Sequence, residues 1–319
     1  MEGTIIGVFG SDPNLKSSFE NSIAKKSEVE GITIYHKNEG SLRFSFLDDS
    51  SFPEKIQGYA RIASLSDYAY YVLPSTPKLT PPDGELVVLV DSFGLNGSIL
   101  AIDSSPRVDP NLAFKGLRLA NFRLEERSSK SSIIDLSGIR AGDSKGHGAL
   151  VYIDRAFNVK GVGLVVLGFV VSGKISIHDK LRLIPGAPGK TAEVKGIQIN
   201  DEDHENAGSG IRVGLSLRNV ELKDLEKTSW LDDGSFNVTN KIMFEFNQSR
   251  YYKQNVAGRD LHIQCPGELL VAKVSQGNTD RTLVANLPSD VPAWNGMKIS
   301  LIDLNSKSLR VAGGGTVFL

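Results

Sequence analysis

A single cysteine, Cys265, among 319 residues leaves no partner for an internal disulfide. The fold must therefore rest on its hydrophobic core, and Cys265 reads as a small buried apolar side chain rather than a nucleophile. Long apolar runs are missing as well. The longest lies near Gly161 to Val171, well short of the ~20 residues that a membrane-spanning helix needs. No cationic leader opens the chain. Neither sign of charge is in excess: 36 Lys and Arg stand against 37 Asp and Glu, a net charge of −1. That balance gives no electrostatic footing for a general nucleic-acid binder, DNA included, although a local basic face does not register in such a sum. These absences exclude a disulfide scaffold and a helical membrane protein. The expectation is a soluble, cytoplasmic monomer.

Hydrophobic residues make up 40% and charged residues 23% of the chain, ordinary for a globular protein long enough for two or three domains. Residues 1–136 alternate strand-like runs (Thr4–Phe9, Leu42–Leu47, Tyr68–Leu73, Ser98–Ile102) with helix-like stretches, the pattern of an α/β domain with a parallel sheet. Between Glu54 and Leu65, Ile56, Tyr59, Ala60 and Ala63 fall on one helical face. The segment Gly84–Leu95 is divided. Its β-branched residues favour a strand, while its place between two strand candidates and the stop signal at Gly94–Gly97 predict a helix. Residues 137–148, rich in glycine and polar side chains, read as a linker. From 149 to 234 short strands recur with glycine turns, at Ala149–Val159, Gly163–Val171, Lys180–Ile184, Thr191–Asn200 and Arg212–Leu217. That spacing predicts a β-barrel or sandwich, and a second β-rich unit spans 235–319.

The stretch GSDPNLKSSF, Gly10 to Phe19, lies between a strand candidate and a helix candidate, the setting of the phosphate-binding loop G-x-x-x-x-G-K-[ST]. Gly10, Lys16 and Ser17 fit that pattern, and Leu15 takes the place of the second glycine. A residue with a Cβ costs roughly 1–2 kcal/mol in a left-handed conformation. Pro13 removes one backbone N–H from a cradle built of such donors.

The segment IDRAFNVKGVGLVVLG, Ile153 to Gly168, resembles the opening of the second domain of translational GTPases of the elongation factor Tu group. It is nearest to the selenocysteine-specific (SelB) branch, which reads roughly I-D-R-x-F-x-V-K-G-x-G-T-V-V-T-G. The resemblance continues through SGKISIHDKLRLIP, VKGIQIN and NAGSGIRVGLSLRNVELKDLEKTSWL, about residues 150 to 231. The final GGGTVFL is similar to the closing strand of that group's third domain. Within the group the chain looks most like archaeal paralogues with reduced GTPase domains. The resemblance implies a reduced P-loop GTPase-like parallel-sheet domain, residues 1–136, followed by two β-barrels, residues 149–234 and 235–319. Gly161 and Gly163 are then expected at the turn between two barrel strands.

The family places its phosphate loop, G-H-V-D-H-G-K-T-T-L, without gaps on Gly10 to Phe19. Its other nucleotide signatures are altered in this chain. Asp48 matches the aspartate of D-x-P-G-H, but Ser51 and Phe52 replace the glycine and histidine. The guanine-reading N-K-x-D falls on Asp103-Ser104-Ser105-Pro106, without its lysine or final aspartate. The interval from Phe19 to Phe44 leaves little room for a first switch segment. The resemblance therefore implies GTP or GDP with Mg²⁺ as cofactor only where Gly10, Lys16, Ser17 and Asp48 still bind it. Otherwise it implies no cofactor and no catalytic residue.

By the same resemblance, Asp154, Arg155, Phe157 and Arg212 match positions of a pocket for the aminoacyl end of tRNA. Two arginines beside one aspartate suit an anionic group. Leu164 and Leu167 replace two family threonines, which turns one wall apolar. A purely structural reading also exists, with Asp154 and Arg155 paired on a barrel surface and Phe157 in the core. The chain shows no counterpart of the C-terminal winged-helix region by which many selenocysteine factors read mRNA, so such a working factor is not expected. His178, His204 and His262 are too scattered for a metal site. The run Asp201–Glu205 reads as a solvated loop, and Tyr68, Tyr70 and Tyr71 read as core rather than a base-stacking platform. The leading expectation is a translation-factor-like protein that binds tRNA, the ribosome or both without GTP hydrolysis. One alternative is a GTPase using Lys16, Ser17 and Asp48. The other is a scaffold that keeps only the three-domain shell.

Overall fold

The computed structural model describes all residues except 1, 29–31, 41, 104–107, 133, 137–138 and 140–147. The interval read as a linker, and Ser104 to Pro106 of the guanine-reading alignment, lie almost wholly or wholly outside the described residues.

The first unit is built on β1 (Gly3–Phe9), α1 (Pro13–Ile23), β2 (Lys25–Glu28), β3 (Ile32–Glu39), β4 (Leu42–Asp49), α2 (Gln57–Leu65), β5 (Tyr68–Val72), α3 (Pro81–Phe93), β6 (Asn96–Ile102) and β7 (Arg123–Arg127). Its strands form one sheet in the order β2-β3-β4-β1-β5-β6-β7. Strand β1 is buried along its whole length, which fits a continuous apolar run at the centre of a sheet covered on both faces. The pairings β4–β1–β5–β6–β7 are parallel, whereas β2–β3 and β3–β4 are antiparallel. The antiparallel hairpin fills the interval between α1 and β4, where room for a switch segment is short.

The divided segment is a helix. Thr80 and Asp83 form a capping box at the start of α3, and Gly94 closes it at φ 64°, in the left-handed region, so the stop signal outweighs the β-branched residues. Helix α2 begins at Gln57 rather than Glu54. Tyr70 and Tyr71 are fully buried, as expected of core residues, and Tyr68 is half-buried.

The second unit comprises β8 (Leu150–Val159), β9 (Gly163–Ser172), β10 (Lys174–Ser176), β11 (Lys180–Ile184), β12 (Thr191–Ile199), β13 (Glu202–His204), β14 (Asn206–Gly208), β15 (Arg212–Arg218) and β16 (Trp230–Asp232). Seven strands run β11-β16-β8-β9-β15-β12-β13, and an added β11–β12 pairing returns the sheet on itself. The β8–β9 turn holds Gly161 and Gly163 at φ 82° and 105°, values that a side chain would strain. The third unit is a closed six-stranded barrel, β17 (Asn237–Gln248), β20 (Thr282–Ala293), β19 (Leu269–Gln276), β18 (Asp260–Gln264), β21 (Lys298–Ile302) and β22 (Val311–Phe318) in spatial order. A parallel-sheet domain followed by two β-barrel units is the fold class expected.

The three units share buried surface. One apolar cluster runs from α2 and α3 into the third barrel and includes Leu150, Tyr152 and Trp230 of the second unit. Helix α3 lies against β22 so closely that a Cβ on Gly314 would stand 1.9 Å from the Ser92 carbonyl oxygen. The glycine run before the C-terminal strand is thus a seat for that helix. At the junction of all three units, Ser64 Oγ of α2 accepts from Gly267 N at 3.0 Å, and Trp230 Nε1 donates to Pro266 O at 2.8 Å. No helix among the described residues is long and apolar enough to cross a membrane.

Candidate functional sites in the first and second units

The chain leaves β1 at Phe9 and enters α1 at Pro13, so only Gly10, Ser11 and Asp12 separate strand from helix. Gly10 keeps a positive φ of 153°. Asp12 is the N-cap of α1: its Oδ1 accepts from Asn14 N at 3.1 Å and Leu15 N at 3.2 Å. A carboxylate of the chain thus occupies the donors at a helix start that would otherwise face an anion. Pro13, at the first helical position, needs no donor there.

Lys16 points inward. Its side chain is 4% exposed, and Nζ donates to Asp48 Oδ1 at 2.6 Å. Nζ also meets the Tyr59 hydroxyl, which in turn donates to Asp48 Oδ1 at 2.5 Å. Tyr59 comes from α2 and is wholly buried, and burial followed by the charge of Asp48 pushes its phenol well above the ordinary range. One helical turn after Lys16, Glu20 is fully buried. Burial, reinforced by Asp48 and opposed by Lys16, raises its carboxyl to about 9, so it holds a proton at neutral pH. Asp49 is also raised by burial, against the hydrogen bonds it accepts from Ser51 N and Oγ at 2.9 and 2.7 Å. Phe52 sets its ring edge-on to Tyr59 at 5.3 Å. Ser17 is exposed on the outer face of α1.

Of the residues read as a nucleotide site, the structure joins Lys16 to Asp48 and leaves Ser17 apart from them. It adds Asp12, Glu20 and Tyr59, which sequence reading missed. Asp12 before Pro13 is an N-cap signature that was open to view. Tyr59 had been visible only as one member of an apolar helix face. In the guanine-reading stretch, exposed Asp103 accepts from Ser129 N at 2.8 Å.

In the second unit, Asp154 stands at a bulge where the register passes from Ile153↔Gly168 to Arg155↔Leu167. Bulges re-aim side chains, and Asp154 here meets Arg212. Both guanidinium Nη atoms donate to Asp154 Oδ2 at 3.3 Å, with each side chain 11% exposed. The Arg212 guanidinium lies 5.2 Å from the centre of the Phe169 ring. Burial lowers its affinity for the proton, and Asp154 opposes that shift. Across the boundary on β3, burial and then the charge of Arg212 push His36 down to about 4.

Beyond the bulge Arg155 is exposed and Phe157 half-buried. They lie opposite Leu167 and Val165, which in turn pair with Gly214 and Ser216. Alternate residues share a face, so this side of the sheet sets Arg155 and Phe157 beside Leu167 and Val165, with Arg212, Gly214, Ser216 and Arg218 alternating along β15 next to them. Leu164 is buried on the other side. Of the four pocket positions, the structure pairs Asp154 with Arg212 and sets Arg155 and Phe157 beside them on one strand. Among the described residues, no group of three or more His, Cys, Asp or Glu side chains is placed to hold a metal ion.

Residues 163–231 match the model of elongation factor Tu domain 2. The fold of the whole chain is similar to that of SelB elongation factors. Translation elongation factor SelB from Methanococcus maripaludis, solved with the GTP analogue GppNHp, shares the fold at a TM-score of 0.82 and 18% identity, over 100% of this chain and 79% of that one. A selenocysteine-specific elongation factor of Methanocaldococcus jannaschii is 29% identical over 189 residues, 52% of this chain and 40% of that protein. The match thus spans less than half of that relative. An uncharacterised protein of the same organism is 27% identical over 320 residues, 99% of each chain.

Proposed function

We propose that this chain is an elongation-factor-like binding protein that engages tRNA, the ribosome or both through its second unit, without a GTP cycle. The observation that carries this reading is the closed charge set of the first unit. Lys16, the one cation of the loop pattern, is consumed by Asp48 and Tyr59, and the start of α1 is consumed by Asp12. A magnesium-bound triphosphate does not fit these residues: its phosphates would have to displace a buried ion pair and a helix cap. Breaking such a pair by removing one partner costs about 3–5 kcal/mol.

The positive side of the reading lies in the second unit, whose sequence is matched where the first unit's signatures are altered. Arg155 is an exposed cation there, and Phe157, Val165 and Leu167 form the apolar surface beside it, a combination suited to a phosphate next to a base or aminoacyl group. A fluorescent-GTP titration with Mg²⁺, with Lys16→Ala as control, tests the first half. No saturable signal up to millimolar nucleotide is expected, and micromolar binding lost in the variant would restore the GTPase reading. Sedimentation with ribosomes and filter binding of tRNA at two salt concentrations test the second half. Binding should weaken with salt and fall further in Arg155→Glu. Equal binding by that variant would favour a scaffold role.

A further inference from the structure

The segment between β4 and α2 ends on the buried Ile56, but its residues 51–55 bury little of their own and meet the Lys16–Asp48–Tyr59 group where Phe52 lies edge-on to Tyr59. Pro53, Glu54 and Lys55 are exposed and Phe52 is half-buried, yet Tyr59 beneath it is fully buried. Something must hold such a segment down. At its start, Ser51 is tied to Asp49. At its other end the tie comes from the third barrel, more than 250 residues away.

Arg310, just before β22, donates from Nη2 to Pro53 O at 2.9 Å and from Nη1 to Glu54 O at 3.1 Å. Its guanidinium lies 6.0 Å from the centre of the Phe52 ring. The same side chain forks onto Glu85 of α3, with Nε to Oε1 at 3.0 Å and Nη2 to Oε2 at 2.5 Å, and Arg310 N donates to Glu85 Oε1 at 2.8 Å. The pair is largely buried, at 17% and 6% side-chain exposure. A planar fork with several donors can fasten a carboxylate and two carbonyls at once, which an ammonium cannot.

We propose that Arg310 is the latch of an autoinhibitory lid, holding residues 51–55 shut over Lys16 so that the buried cation is withheld from anions in solution. Contact runs unbroken from the barrel to the loop: Arg310 on Phe52, Phe52 on Tyr59, Tyr59 on Lys16. With the latch gone, the lid keeps its Ser51–Asp49 tie, the Lys55 N to Ser51 O hydrogen bond at 3.1 Å and the buried Ile56 at its end, but loses its link to the third barrel, and opening between those anchors becomes cheaper. Such a latch acts in the same way whether or not the second unit binds RNA.

The test is acylation of lysine amines in the folded full-length chain, read residue by residue by mass spectrometry, with exposed Lys160 of the second unit as internal reference. In the unaltered protein Lys16 should be protected. In Arg310→Ala its labelling relative to Lys160 should rise at least about tenfold, with Arg310→Lys between the two. Backbone amide exchange of residues 52–56 should quicken in parallel. Phe52→Ala, which removes the lid's ring and leaves the latch, should also raise Lys16 labelling, and it decides the matter if Arg310→Ala does not fold. Lys16 labelling unchanged in the folded variants would overturn the proposal and leave Arg310 as interdomain glue.

Discussion

The first and second units treat their charged residues in opposite ways. In the first, every charge near the loop is answered from within: Asp12 by the start of α1, Lys16 by Asp48 and Tyr59, and Glu20 by keeping its proton. In the second, Asp154 and Arg212 answer each other, while Arg155 stands exposed on an open strand face. Desolvated charges must find partners or neutralise, and those of the first unit do both. Arg155, at the surface, is under no such demand. Stability measurements therefore separate the two regions.

The largest effect is expected from Lys16→Ala. Asp48 would be left buried without its cation, at a cost of about 3–5 kcal/mol in urea-induced unfolding. Stabilisation instead would mean that Lys16 is strained for a ligand, and the contrast between the units would break. Gly314→Val should follow, at about 3 kcal/mol, because its Cβ would meet the Ser92 carbonyl and push α3 off β22. Calorimetry should then show the first unit melting apart from the barrels.

Glu20 gives a pH signature. Its folded carboxyl titrates near 9 and its unfolded one near 4.5, so the folded state holds the extra proton in between. Stability should fall as pH rises through that window and level off above it. Glu20→Gln should flatten this limb and stabilise the protein at pH 8 by roughly 1–3 kcal/mol. His36 acts at the other end. Lowered from 6.5 to about 4, it is neutral when folded, so stability is lost as pH falls from 6.5 toward 4. His36→Asn should remove about 1–2 kcal/mol of that acid-side loss, seen as a shallower decline of Tm with falling pH. The smallest stability effect belongs to Arg155→Glu, within about 0.5 kcal/mol, although it is the change expected to weaken tRNA or ribosome binding most.

Much of the fold was legible because local signals agreed with tertiary needs. Glycines at the β8–β9 turn, the apolar run of β1 and the Gly94 stop each announce an element in the residues that form it. The β2–β3 hairpin and β7 were not legible. Lys25–Glu28 and Arg123–Arg127 are charged segments that become strands because a sheet edge offers hydrogen-bonding partners. The late start of α2 was hidden for a similar reason, since residues 51–55 are held by Arg310 from far along the chain. In the site, Lys16 and Asp48 were readable as matches to a pattern. Their mutual pairing was not, because 32 residues separate them and no spacing rule brings them together.

The N-cap at Asp12 bears on how this chain changes over generations. A substitution that frees the start of α1 removes a helix cap, and one that frees Lys16 strands a buried carboxylate. Each such change is therefore harmful alone. The carboxylate beside Pro13 acts as a pawl: descendants of this sequence can drift at exposed Ser17, but selection for a stable fold resists any change that uncaps α1.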